Sequence, residues 1–233
     1  CNGASTGSIQ VNVTNGTSPF QFSKDDGATF VTGTKPYTFN GLAAGTYKIK
    51  VKDNTGFVTS ATSVTVTQPT PLSILTSKTN VTVNGGNNGK ITVTASGGTG
   101  SLQFSKDGGT TYVVGTSPYD FTTLTAGDYQ IRVKDANACE TAISTVTITQ
   151  PTAVNFTTSE TNILCNGAST GSIQVNVTNG TSPYQFSKDD GATFVTGTNP
   201  FTFNGLSATT YKIKVKDNTG FVTSATSVTL TQP

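Results

Sequence analysis

The sequence predicts an all-β protein: tandem Ig-like β-sandwich domains in an elongated array, with the opening strand of the first domain missing. Three observations carry this expectation. Residues 41–53 return as residues 123–135 and again as 205–217, so that Tyr47, Tyr129 and Tyr211 fall 82 positions apart, the mark of a repeat architecture. Within each copy apolar and polar residues alternate with period two, as half-buried strands require. Clusters of Gly, Asn, Asp and Pro break the alternation roughly every 8–12 residues, the rhythm of a sandwich with Ig-like connections.

The repeats run over residues 1–69, 70–151 and 152–233. The first and third align without a gap and differ at six positions: Phe20/Tyr184, Lys35/Asn199, Tyr37/Phe201, Ala43/Ser207, Gly45/Thr209 and Val66/Leu230. Each repeat ends in Thr-Gln-Pro, and a proline, which has no ladder donor, closes the last strand there and makes a joint. In the first repeat Ile9, Val11 and Val13 form one apolar set, and Phe20 and Phe22 a second. Phe30 belongs to a third strand, Tyr37 and Phe39 to a fourth, Tyr47, Ile49 and Val51 to a fifth, and Val64 and Val66 to the last. Leu72, Ile74 and Val81 supply the opening strand of the second repeat, and Val154 and Phe156 that of the third. The first repeat has no counterpart of these, so its first strand is expected to be missing unless a preceding extension supplies it, and an edge left unfilled would be a pairing site for another chain. Three such domains in line would span about 100 Å at about 3.3 Å per strand residue.

Tyr47, Tyr129 and Tyr211 sit just inside a strand, after a small-residue turn. They resemble the tyrosine corner of Greek-key sandwiches, whose hydroxyl bonds back to nearby backbone. Gly45 and Gly127 are expected in a positive-φ turn position. Thr209 takes that place in the third repeat, which predicts either strain on the order of 1 kcal/mol or a changed turn. The Asp- and Gly-bearing turns at 52–56, 134–138 and 216–220 suit tight hairpins.

Composition narrows the function classes. His, Trp and Met are absent, and charged residues make up 11% of 233 residues. Without His the commonest general base is missing, and Glu140 and Glu160, the two glutamates, recur in no other repeat. Catalysis is therefore not expected, nor is a cofactor. A net charge of +2 does not make the clustered basic surface that nucleic acid requires, and no apolar run is long enough to span a membrane as a helix. Lys48, Lys50 and Lys52, with Lys212, Lys214 and Lys216, form an outward stripe on one strand. Such a stripe either touches anionic glycans or lipids or, more simply, keeps the sheet soluble and unpaired.

Residues 23–30, 105–112 and 187–194 share the pattern Ser-x-Asp-x-Gly-x-Thr-aromatic. The pattern resembles the Asp-box of sialidase-type β-propellers, a hairpin turn without a catalytic part, and implies a structural role for Asp25, Asp107 and Asp189. Asp25, Asp26, Asp189 and Asp190 are also the candidates for Ca²⁺, which needs six or more converging oxygens. Adjacent acids in a turn are more often simply solvated, so no metal site is expected.

The Cys-Asn-Gly…Gly-Ser-Ile opening, Gly-Thr-Ser-Pro-Tyr-Gln-Phe-Ser at 180–187, Leu-x-Ala-Gly-x-Tyr, Val-Lys-Asp-x-x-x-Cys at 133–139 and the closing Thr-Gln-Pro together resemble SprB-type repeats. These occur in very long cell-surface adhesins of gliding Bacteroidetes. The resemblance implies a secreted filament on the outer surface, exported by the type IX route, that contacts the substratum during gliding. Its partners would be neighbouring repeats and a polysaccharide or abiotic surface. A carbohydrate- or surface-binding module with a defined ligand site is the alternative. The family pattern carries one cysteine near the repeat start and another after the Asp-x-x-Gly turn. Here Cys1 and Cys165 keep the first and Cys139 the second, so no repeat can close its own pair. A Cys139–Cys165 bridge is conceivable, but free thiols are the expectation, because in an end-to-end array those two should lie toward distant ends.

Overall fold

The computed structural model describes residues 1–233 and consists of strands and turns, with no helix. The chain falls into two compact units, each described by itself: Cys1–Leu75, Thr94–Tyr119 and Ile131–Ile143 form the first, and Thr76–Val93, Asp120–Gln130 and Ser144–Pro233 the second.

In the second unit, residues 152–233 give β14 (Phe156–Thr161), β15 (Gly171–Val177), β16 (Tyr184–Ser187), β17 (Val195–Gly197), β18 (Phe201–Leu206), β19 (Thr210–Lys216) and β20 (Thr226–Thr229). They pair as a three-stranded sheet, β14-β15-β18, and a four-stranded sheet, β17-β16-β19-β20. The first sheet contributes Ile173, Val175, Val177, Phe203 and Leu206 to one core, and the second contributes Phe186, Ile213, Val215 and Val228. Two inner faces meeting over a shared core make an Ig-like sandwich. Alternation decides which residues enter it: along β15 every second side chain is buried and the ones between are not.

In the first unit, residues 1–69 give β1 (Gly7–Val11), β2 (Phe20–Ser23), β3 (Val31–Gly33), β4 (Tyr37–Leu42), β5 (Gly45–Lys52) and β6 (Thr62–Val66). The four-stranded sheet β3-β2-β5-β6 is complete, but its partner is only β1-β4. The opening strand is missing, as the sequence reading expects. Phe30 falls just before β3 rather than within it.

Residues 70–151 give β7 (Ser73–Thr79), β8 (Gly89–Ser96), β9 (Leu102–Ser105), β10 (Val113–Gly115), β11 (Tyr119–Leu124), β12 (Gly127–Lys134) and β13 (Ser144–Ile148). Their strand orders, β11-β8-β7 and β10-β9-β12-β13, repeat the three-plus-four scheme. Strands β7, β8, β11 and β12 have residues in both units.

The positive φ expected at Gly127 is present, at 155°, but Gly45 has none. Gly45 is an extended residue, paired with Val66 at the start of β5, and Thr209 has no positive φ. Of the two outcomes expected at Thr209, strain is absent and the turn is changed: β19 begins at Thr210, one position later than β5 at Gly45 and β12 at Gly127. The left-handed position lies four residues earlier, at Gly41 and Gly205 (both φ 69°) and at Thr123 (φ 56°); Gly127 is at 155°. The middle repeat thus holds a β-branched residue where its neighbours have glycine. Thr123→Gly is expected to raise stability by about 1 kcal/mol by removing the Cβ clash of a left-handed residue. Chemical denaturation of the variant against the parent measures it.

Candidate functional site

The open edge of β1 is the feature that sets the first repeat apart. Its near-copy in residues 165–233 shows what the edge lacks. There β15 is held on one side by β18 and on the other by β14, in a ladder from Phe156↔Val177 to Thr161↔Ser172. β1 pairs with β4 alone and ends at Val11, two residues earlier than its counterpart. A strand without its outer neighbour loses the hydrogen bonds that fix its end.

Burial follows pairing. Val175, Val177, Val215, Val228 and Leu230 are buried, whereas the matching Val11, Val13, Val51, Val64 and Val66 are half-buried. Phe221 packs against the third repeat's core, but the matching Phe57 is 67% exposed.

Three cavities lie along the edge. One of about 340 Å³ includes Val13, Gly16, Phe20, Val51, Phe57 and Thr59 in its lining. The next, of about 310 Å³, has Ile9, Val11, Ile49 and Val64 among its walls. A third, of about 510 Å³, touches Gly7, Leu42, Val66 and the Cys1 turn. In the third repeat the corresponding walls meet the opening segment. A Cβ added at Gly180, the match of Gly16, would stand 2.5 Å from a Val154 methyl. Val154 and Phe156 line one cleft with Phe221 and Thr223. Ile163 sits 3.3 Å from the Cβ position of Gly171, the match of Gly7.

The recurring polar residues serve the backbone of their own repeats. Tyr47 donates to the Ala43 carbonyl (3.0 Å), Tyr129 to Thr125 (3.0 Å) and Tyr211 to Ser207 (3.2 Å), the geometry of a tyrosine corner. Ser23, Ser105 and Ser187 are buried and donate to Asp25, Asp107 and Asp189, each at 2.7 Å. Each aspartate also accepts from the backbone N–H four residues on, at 2.9 Å. Asp135 is 2% exposed and accepts from the Asn137, Cys139 and Thr99 amides. Burial opposes its ionisation, but these donors outweigh it and hold its carboxyl below the usual range.

The Thr29 hydroxyl first, then the Thr29 amide and the Ser23 hydroxyl, lower Asp25 to about 2. The Thr193 and Ser187 hydroxyls lower Asp189 to about 2, and Thr111 and Ser105 likewise depress Asp107. A folded-state pKa below the unfolded value of about 3.9 means stability that is fully present above it and lost as pH falls through the folded value. The thermal midpoint is therefore expected to drop between about pH 4 and pH 2. Replacing Asp25, Asp107 and Asp189 together with Asn should flatten that slope, as a pH series of thermal melts would show.

The remaining Ca²⁺ candidates have other neighbours. Asp26 pairs with Lys48 (3.2 Å) and Lys50 (2.9 Å), and Asp190 with Lys212 (3.3 Å) and Lys214 (2.9 Å). The lysine stripe is therefore partly neutralised in place, and no group of three or more acidic, Cys or His side chains converges on one point.

The expectation of three free thiols is corrected by a disulfide joining Cys1 to Cys139, with Cα atoms 5.3 Å apart; Cys165 is free and exposed. The pairing becomes legible once the joint is seen. Asn2 donates to the Pro69 carbonyl and the Gly3 amide to Gln68. The Gly98 amide donates to Thr70, and Gly98 lies against Asp135. The opening turn of one repeat and the Asp135 turn of the next thus meet within the first unit. The same Asn–Pro and Gly–Gln clasps recur as Asn84–Pro151 and Gly85–Gln150, and as Asn166–Pro233 and Gly167–Gln232. Sequence reasoning had the Thr-Gln-Pro ends but not these partners, which lie 65 and 67 residues away.

A family model described as SprB repeat matches residues 1–29, 75–111 and 157–193. No curated protein matches. Similar solved structures include the fibronectin(III)-like modules of Clostridium thermocellum CbhA, at 17% identity and TM-score 0.29, covering 63% of this chain and 87% of that one. The FN1–FN3 domains of chicken CNTN1 are 11% identical with TM-score 0.28, covering 97% and 96%. Domains 7, 8 and 9 of the S-layer protein SbsC are 13% identical with TM-score 0.24, covering 91% and 79%. The fold class itself rests on the strand orders and cores given above.

Proposed function

Because the chain carries SprB-type repeats, we propose that it is a non-catalytic segment of a large cell-surface adhesin, acting as a stalk and adhesive filament in surface attachment and gliding. One observation carries the reading. The residues that recur in all three repeats — the tyrosines, the Ser–Asp turns and the Gly–Gln clasps — bond to the chain's own backbone or to each other. What is repeated is a scaffold, and repetition of a scaffold gives reach and many weak contacts. Secretion by the type IX route and an outer-surface location belong to this reading, and a polysaccharide or abiotic surface is its partner.

The test uses beads coated with residues 1–233. The reading expects retention on glass and on polysaccharide gels that rises with coating density and survives single loop substitutions. Saturable binding to one glycan, abolished by one loop substitution, would replace it with a module that has a defined sugar site.

A further inference from the structure

We propose that the outward face of the three-stranded sheet β14-β15-β18, together with the matching face of β1-β4, is the adhesive surface, and that it takes a neutral polysaccharide lying flat across the strands. The inference rests on the adhesive reading above and names its contact surface. Alternation puts Ile173, Val175 and Val177 of β15 into the core and turns Ser172, Gln174 and Asn176 outward. The antiparallel ladders set Thr157 beside Asn176, and Ser159 and Thr202 on either side of Gln174. None of these outward side chains bonds within the protein, so each keeps its donors and acceptors for an outside partner. The first repeat presents the same residue types in Ser8, Gln10 and Thr38, with Gln10 opposite Thr38, and these too are without internal bonds. The residues that recur in all three repeats are, by contrast, taken up by the scaffold.

The chemistry of the face selects the ligand. These positions carry amides and hydroxyls and no charge, whereas Lys212, Lys214 and Lys216 stand on β19 in the other sheet, the first two paired with Asp190. An amide offers a donor and an acceptor side by side, and a hydroxyl offers both on one atom. That is the complement of the vicinal hydroxyls of a neutral sugar, while an anionic chain would find no counter-charge. Side chains on one face repeat about 4.8 Å apart across strands and about 6.7 Å apart along them, so an extended polymer meets several at once and weak contacts add. The second repeat is the internal contrast. Where the third has Ser172, Gln174 and Thr202 it has Lys90, Thr92 and Asp120. Asp120 engages both neighbours, the Lys90 ammonium at 3.2 Å and the Thr92 hydroxyl at 2.6 Å. Leu75, 74% exposed, takes the place of Thr157. That face is closed by its own bonds, and a sugar would have to displace an ion pair to bind it.

The experiment measures retention of beads coated with residues 1–233 on neutral dextran and agarose gels, on alginate and on glass. The expected result is retention on the neutral gels that falls by about tenfold when Gln10→Glu, Gln174→Glu and Asn176→Asp are combined, with the thermal midpoint unchanged. Soluble dextran should compete, and soluble alginate should not. A second variant, Lys90→Ser with Thr92→Gln and Asp120→Thr, gives the second repeat the face of the third and should raise retention. Parent beads held by the neutral gels but insensitive to both variants would overturn the proposal and leave the adhesive reading standing. Parent beads that hold only to glass, or to alginate in preference, would do the same. Retention on no surface at all would remove both. Self-association of the parent that the first variant abolishes would make a second copy of the chain the occupant, and would overturn the proposal as well.

Discussion

Reducing the Cys1–Cys139 bridge, or replacing Cys139 with Ser, is expected to lower the stability of the first unit by about 3–5 kcal/mol, whereas Cys165→Ser leaves the chain unchanged. The bridge spans 138 residues, and in the chain-entropy account a cross-link closing so long a loop withdraws the most freedom from the unfolded ensemble. It also holds the opening turn of a repeat that lacks its outer strand. Denaturation of the oxidised and reduced protein gives the difference. Peptide mapping without reductant should recover Cys1 joined to Cys139 and Cys165 open to alkylation; Cys165 in a bridge would refute the pairing.

Phe22→Ala should unfold the first repeat at room temperature, while Phe186→Ala leaves the third folded but less stable. Both rings are fully buried. They stack in the same way, Phe22 on Tyr37 and Phe186 on Phe201, with centroids 4.6 Å apart in each case. Truncating a buried Phe costs about 3–5 kcal/mol in either place. The reserve differs. The third repeat buries five aliphatic residues that the first leaves half-exposed, and each completed burial is worth about 1.5–3 kcal/mol at most. The third repeat should therefore tolerate the loss with a midpoint lower by about 15 °C or more. Equal responses at the two sites would mean that the missing strand contributes little. Near-UV circular dichroism and amide exchange, read repeat by repeat, separate the cases.

The two replacements also show what the sequence could convey. Alternation along residues 9–13 and 173–177 is local, so it declares strands and their inward faces without any knowledge of partners. The 82-residue period aligned the first repeat against the third and exposed the missing strand. The tyrosine corner was legible for the same reason, since its acceptor lies four residues away. Features that depend on distant neighbours were not. Cys139 was weighed against Cys165, and its actual partner emerged only when the Asn–Pro and Gly–Gln clasps brought the joint together. Lys48 and Lys50 read as a free basic stripe because Asp26, 22 residues from Lys48, is placed beside them by a left-handed turn at φ 62°. The left-handed site at Thr123 was missed because the glycines at 45 and 127 drew attention to the other end of the same turn, where Gly127 has a positive φ and Gly45 does not.

Amide hydrogen exchange on the intact chain tests the central claim, that two nearly identical repeats differ in one completed edge. The amides of residues 8–13 should exchange much faster than those of residues 172–177, although the two segments have the same sequence and matching neighbours in β4 and β18. Equal protection in the two segments would contradict it.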